Sequence, residues 1–161
     1  MKWLLKMLIA VLLKILGKPN MVIGENYLER WYLIPRNRIM NVYLHKFTGS
    51  DDDRALHDHP WHSVSLLLKG RYHELVDRVY TKQGYYGAHR YTTTNHPKRF
   101  VPFYRRATHM HRTVLDEGPV WTLVFTGPVV REWGFLCPKG WVHWKDFTDT
   151  TGTKVGAGCG D

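Results

Sequence analysis

Cysteine is almost absent from this chain: Cys137 and Cys159 are the only two in 161 residues. Neither sits in a CxxC pair, which argues against a disulfide framework or a zinc knuckle and points to a reducing compartment, the cytoplasm. A glycine-rich phosphate loop, a GxSxG elbow and an HExxH helix are all missing, so the sequence carries no sign of P-loop, α/β-hydrolase or zincin chemistry. Cys137, beside Pro138, has no visible activating partner for a nucleophilic role. A membrane span needs about 20 apolar residues. The most apolar stretch, residues 1–18, is interrupted by Lys2, Lys6, Lys14 and Lys18. Lys2 and an apolar middle suit a signal peptide, but Lys6 and Lys14 interrupt the run and no small-x-small cleavage site follows. Acids are also scarce, 14 against 23 Lys and Arg, for a net charge of +9. No recognised nucleic-acid motif accompanies that excess, so no nucleic acid is expected as a partner, and anionic lipid or a small acidic molecule suits it better.

What the chain does contain is apolar and aromatic residues, 43% and 14% of it, enough for one β-rich domain with a core of its own. Residues 1–18 are expected to form an amphipathic helix. Its lysines share an arc of roughly 160°, with Leu4, Leu5, Leu8, Val11, Leu12, Ile15 and Leu16 on the other side, until Gly17 and Pro19 stop it. Two placements are open for it: packed on the rest of the fold or in a dimer interface, or lying on an anionic membrane surface.

Strand patterns follow. NYLERWYLI and IMNVYLHKF read as a hairpin about Pro35-Arg36-Asn37-Arg38. Asp51, Asp52 and Asp53 are contiguous, without the alternating spacing and turn glycine of a calcium loop, and read as solvated. SVSLLLKGRYHELVDRVY reads as a strand, a turn at Lys69-Gly70 and a second strand, and a turn is expected between Gly84 and Gly87. Short strands interrupted by Asn95, Pro97 and Pro102 come next, then strands at Val120–Thr126 and Arg131–Leu136. Trp121, Trp133, Phe135, Trp141 and Trp144 are expected chiefly as core or interface filling. The expected units are the helix 1–18, a β-domain over 21–147 and a flexible Gly/Thr-rich tail over 148–161.

The chemistry is concentrated in histidines. LHDHPWHSVSLLLKG places His57, His59 and His62 just ahead of an apolar run, and THMHRTVL offers a second close pair, His109 and His111, about 50 residues later. Residues two apart on a strand face the same side, and imidazole is the commonest side-chain ligand for a divalent metal. His57 and His59 with one of the second pair therefore read as a three-histidine metal site.

The order HxH, apolar strand, glycine, long hairpin, further histidine resembles the cupin family, RmlC-like proteins whose first motif is G(x)5HxH(x)3-4E(x)6G. His57 and His59 match its histidines and Gly70 its closing glycine, while His111, directly ahead of the strand Arg112–Leu115, best matches the later histidine. The pieces WTL, TGP, REWGF and GW are similar to the ending of small bacterial and phage cupins of unassigned role. The resemblance departs at the glutamate, where this chain has Ser63 and Val64.

The resemblance implies a mainly β fold, a double-stranded β-helix or jelly-roll barrel, with one divalent transition metal (iron, nickel, manganese, copper or zinc) on His57, His59 and His111. His62 and His109 are the alternative ligands, and His143 is a more distant one. A neutral shell of three histidines is similar to the thiol-dioxygenase branch, whereas the lost glutamate fits a weakened site equally well. The activity implied is that of a mononuclear, oxygenase-like enzyme acting on a small anionic molecule. A binding or sensing barrel without turnover, or a structural barrel docked by its basic helix, are the alternatives. Candidates for substrate contact are Tyr104, Arg106, His73, Arg90 and Trp121, with Arg105 in the same stretch. A small-molecule ligand, a homodimer and peripheral membrane contact through residues 1–18 are the expected partners.

Overall fold

Strands dominate the computed structural model, which describes residues 7, 11–51, 55–76 and 93–160. The expectations for Lys2, Leu4, Leu5, Lys6, Leu8, Asp52, Asp53, Gly84, Gly87 and Arg90 lie outside the described residues. Ten strands run in chain order: β1 (Met21–Ile23), β2 (Leu28–Tyr32), β3 (Asn41–Phe47), β4 (Leu56–His57), β5 (Ser63–Val76), β6 (Thr93–Asn95), β7 (Pro102–Arg105), β8 (His111–Thr126), β9 (Gly134–Cys137) and β10 (Gly140–His143). One helical turn follows, α1 (Trp144–Phe147). They form a single curled antiparallel sheet in the order β1-β2-β3-β8-β4-β9-β10, with β5 pairing β6, β7 and β8.

The long strands β5 and β8 are the backbone of this sheet. β8 pairs β3 and the first half of β5 through Val120–Thr126, then the second half of β5 and β4 through its own first half. The expected turn at Lys69-Gly70 is instead a bulge inside one continuous strand, with register shifts between Leu67 and Tyr72 and Gly70 at φ 83°. Only glycine fits that backbone, since a Cβ there would lie 2.8 Å from the Glu117 carbonyl oxygen. The bulge reverses the strand's alternation. Ser63, Ser65 and Leu67 are buried before it and Tyr72, Glu74 and Val76 after it.

The apolar packing lies largely on the back of the sheet. Trp31, Leu44 and Trp121 form one cluster, with the two indoles stacked at 5.8 Å, and Leu12, Leu13 and Leu16 of the helical residues 11–16 cover it. The Trp31 indole N–H donates to the Gly17 carbonyl at 2.9 Å, fixing the chain where the helix ends. Leu12, Leu13 and Leu16 thus pack on the fold. This splits the expected apolar face, because Val11 and Ile15 stay exposed.

A second cluster, Ala55, Phe135, Cys137 and Phe147, receives Cys159 from the C-terminal segment. Cys137 and Cys159 are joined as a disulfide across a separation of 22 residues, contrary to the expectation of free thiols in a reducing compartment. The segment expected as a flexible tail is also held by backbone bonds from Gly156 and Gly158 to the Phe147 carbonyl and by a bridge between Thr148 and Val155. Its composition suggested no periodic element, and the contacts that place it are a covalent link and turn hydrogen bonds. Among the described residues no helix is long and apolar enough to cross a membrane.

Candidate metal centre and ligand cavity

The inner face of the curled sheet surrounds a cavity of about 450 Å³, lined mainly by apolar and aromatic side chains with a set of polar and charged groups among them. Inward positions on β2, β3, β5, β7 and β8 bring Arg30, His45, Ser65, Glu74, Arg105 and Thr122 to its wall.

His57, His59 and His111 meet at this cavity. Each offers a ring nitrogen, and the three atoms lie within 4.8 Å of one another. His57 is the Cα partner of His111 across β4 and β8, and the ring centroids are 4.8 Å apart. His59 lies 5.1 Å from each of them. Between the two histidines of the HDH run, Asp58 is fully buried and turned elsewhere: it accepts from the Gly134 N–H at 2.8 Å and from the Arg131 guanidinium. One acid thus anchors the local chain to the loop before β9 while its neighbours face the cavity.

The protonation states suit a cation. Burial holds His59 well below the usual imidazole range, reinforced by the charges of His111 and His57, and burial lowers His111 to about 3 against the pull of Glu74. Both rings are therefore neutral at ordinary pH, the form that ligates metal. The His111 Nδ1 lies 3.1 Å from the His109 carbonyl oxygen, a bond in which it must donate. That leaves Nε2 with its lone pair, as in the outer-shell arrangement that orients metal-bound imidazoles. The His57 Nδ1 is buried without a hydrogen-bond partner and lies 3.7 Å from the Asp51 carboxylate, which accepts from the Thr113 N–H at 2.7 Å. Three converging imidazoles, one with a ring nitrogen unpartnered, fit a divalent transition metal.

Beside this cluster runs a buried charge network. Arg105 bonds Glu74, the Ser65 hydroxyl and, at 2.9 Å, the Tyr72 hydroxyl. Burial would raise the Glu74 carboxyl, but the charge and hydrogen bond of Arg105, together with His111 and His109, outweigh it and hold the group far below the usual carboxylate range. The other Glu74 oxygen is unpartnered, with the His109 Nε2 at 3.5 Å. On the opposite wall the Arg30 Nε donates to the His45 Nε2 at 2.9 Å, and the guanidinium lies 4.9 Å from the Tyr43 ring centre.

The remaining sequence candidates fall elsewhere. His62 is exposed and bonded to the Tyr104 hydroxyl at 2.8 Å, so neither residue faces the cavity. His109 turns to Glu74, and His143 pairs with Glu132 and caps α1. His73 is bonded to Asp116 at 2.7 Å on the far side of β5, Arg106 is exposed, and Trp121 belongs to the core under the helix. Trp133, Phe135 and Trp144, expected chiefly as filling, also line the cavity, while Trp141 packs against Leu56, Met110 and Leu136. Sequence reasoning missed Glu74, Tyr72, Ser65, Arg30 and His45. For Arg30 and His45 there was a usable sign: on the expected hairpin they alternate in phase with Leu28 and Tyr43, polar groups on an otherwise apolar face.

No family model matches the chain and no curated protein matches it. Solved structures do. The DMSP lyase DddQ from Ruegeria pomeroyi DSS-3 superposes with a TM-score of 0.50 at 14% identity over 71% of this chain. The chain spans only 54% of that protein's length. Streptomyces PAC13 with uridine gives a TM-score of 0.50 at 4% identity, covering 71% of this chain and 82% of that one. An RmlC-like cupin from Shewanella frigidimarina NCIMB 400 gives 0.47 at 16% identity, covering 71% and 86%. The two structures at a TM-score of 0.50 speak for the fold alone. The architecture is the cupin-type double-stranded β-helix.

Proposed function

We propose that this barrel is a metal-dependent enzyme acting on a small anionic molecule, with His57, His59 and His111 as the protein ligands. The observation that carries the reading is the convergence of three imidazole nitrogens on the wall of a cavity large enough for a small organic molecule, largely apolar with a few polar and charged groups. A divalent transition metal held there would leave coordination positions open for substrate and for water or dioxygen, and would act as a Lewis or redox centre.

The chain's own residues supply the surroundings. His111 is fixed in one tautomer by the His109 carbonyl, and Asp51 stands behind His57. Arg105, already balanced by Glu74, presents polar edges beside the cluster without adding net charge. Trp133, Phe135 and Trp144 form an apolar flank that keeps bulk water from one side.

A reading as a binding or sensing barrel without turnover has one observation in its favour. The two carboxylates of the wall, Asp51 and Glu74, are both engaged by neighbours, so neither is a free general base.

Elemental analysis of untagged protein, beside the His57→Ala/His59→Ala double variant, tests the proposal. Stoichiometric iron, nickel, manganese, copper or zinc that disappears in the variant is the expected result. Protein that stays metal-free after reconstitution overturns it.

A further inference from the structure

The charges on the cavity wall do not balance. Arg30, Arg36 and Arg105 line it, against Asp51 and Glu74, and burial keeps His45 neutral. Glu74 belongs to Arg105, and Asp51 accepts from Thr113 and backs His57. Arg30 is left with softer partners: the His45 Nε2 at 2.9 Å, the Met21 sulfur at 4.0 Å and the face of Tyr43. Among the described residues no carboxylate forms an ion pair with it.

The partners also show which edge of the guanidinium is in use. Nε is spent on His45, and thioether sulfur is a weak acceptor at that distance. The Nη edge is therefore short of an oxygen acceptor. Because His45 accepts at Nε2, its neutral ring carries hydrogen on Nδ1, so it cannot supply a compensating negative charge. Arg36 lies within electrostatic reach of Arg30, is itself exposed and stacks at 5.6 Å over the Tyr32 ring. A second cation beside an unbalanced one is hard to reconcile with a purely structural wall, which would set an acid between them.

We infer that Arg30, assisted by Arg36, is the seat for an oxyanion, the carboxylate or phosphate group of a small organic acid whose other end reaches the His57, His59 and His111 cluster. Planar guanidinium matches such groups in shape as well as charge. Arg30 lines the same cavity as His57, His59 and His111, so the seat and the cluster share one cavity rather than two. The inference deepens the proposed function and rests on it only for what the far end of the ligand meets.

The test titrates full-length protein, stripped of metal with EDTA, with inorganic phosphate and with succinate by calorimetry. One of the two probes is expected to bind, and whichever binds more tightly assigns the oxyanion class. Arg30→Gln should weaken that binding at least ten-fold, Arg30→Lys less, and Arg71→Gln, on the exposed outer side of β5, by under two-fold. If Arg30→Gln does not fold by circular dichroism, wild-type protein is treated with phenylglyoxal and mapped by mass spectrometry, where the bound probe should protect Arg30. Absence of binding to wild type, unchanged binding in a folded Arg30→Gln, or an unprotected Arg30 overturns the seat. Arg30-dependent binding in protein that never takes up metal upholds the seat and removes the metal reading. Stoichiometric metal without Arg30-dependent binding does the reverse.

Discussion

His57 and His111 stand directly opposite one another across β4 and β8, with ring centroids 4.8 Å apart, although 53 positions separate them in the chain. Two strands far apart in sequence thus supply neighbouring ligand groups through one register. His111→Ala and His57→Ala should each abolish metal uptake in a barrel that still folds. His109→Ala should retain it, because His111 is oriented by the backbone oxygen at 109, which alanine keeps. Asp51→Asn, behind His57, should weaken metal affinity about 10–100-fold. Competition against a chelating dye measures all four.

Glu74 and Arg105 form the most deeply buried ion pair of the described residues. Arg105→Met leaves Glu74 charged and without its counter-ion, and should cost about 3–5 kcal/mol in urea unfolding. Glu74→Leu combined with Arg105→Met removes both charges, and should recover much of that loss.

Acid should weaken the metal-free fold through His45. Burial, with the charges of Arg30 and Arg105, holds its pKa in the folded chain well below 6.5, while the unfolded imidazole titrates near 6.5. The unfolded state therefore binds the extra proton as pH falls through 6.5, and stability drops by up to about 1.4 kcal/mol per pH unit for this one group. Above pH 7 the contribution is constant. His45→Gln keeps an acceptor for Arg30 and should flatten the slope between pH 6.5 and 5 in urea denaturation.

The disulfide between Cys137 and Cys159 should be measurable both as chemistry and as stability. Protein from an oxidising environment should resist alkylation until reduced. Reduction, or Cys159→Ser, should cost about 3 kcal/mol for a loop of this size. Thr151, Gly152 and Thr153 line the cavity, so the same change should also alter the fluorescence response of Trp133 and Trp144 to cavity ligands.

The legible part of this molecule was what depends on regular alternation. HxH ahead of a strand, a later histidine entering another strand and a hairpin around Pro35 can all be read from period-two spacing. What alternation hides is any departure from it. His73 was a candidate and Glu74 was not, yet past the bulge at Gly70 it is His73 that faces outward and Glu74 that is buried. Tyr104 and Arg106 flank Arg105, and in a strand of four residues bounded by Pro102 the inward member was not decided by the pattern. Cys137 and Cys159 carry no spacing motif, and their meeting depends on how the chain folds back after α1. Arg30 and His45 were readable in principle, since both lie on strands whose phase was clear.

The bulge at Gly70 also sets which length changes β5 can absorb. Upstream of it, Ser63 and Ser65 face the cavity, and downstream Tyr72 and Glu74 do, so the two halves of β5 are out of step by one residue. A single-residue insertion or deletion that straightened this strand would present Arg71 and His73 to the cavity and expel the partners of Arg105. Insertions and deletions should therefore be tolerated in the connections and not within β5.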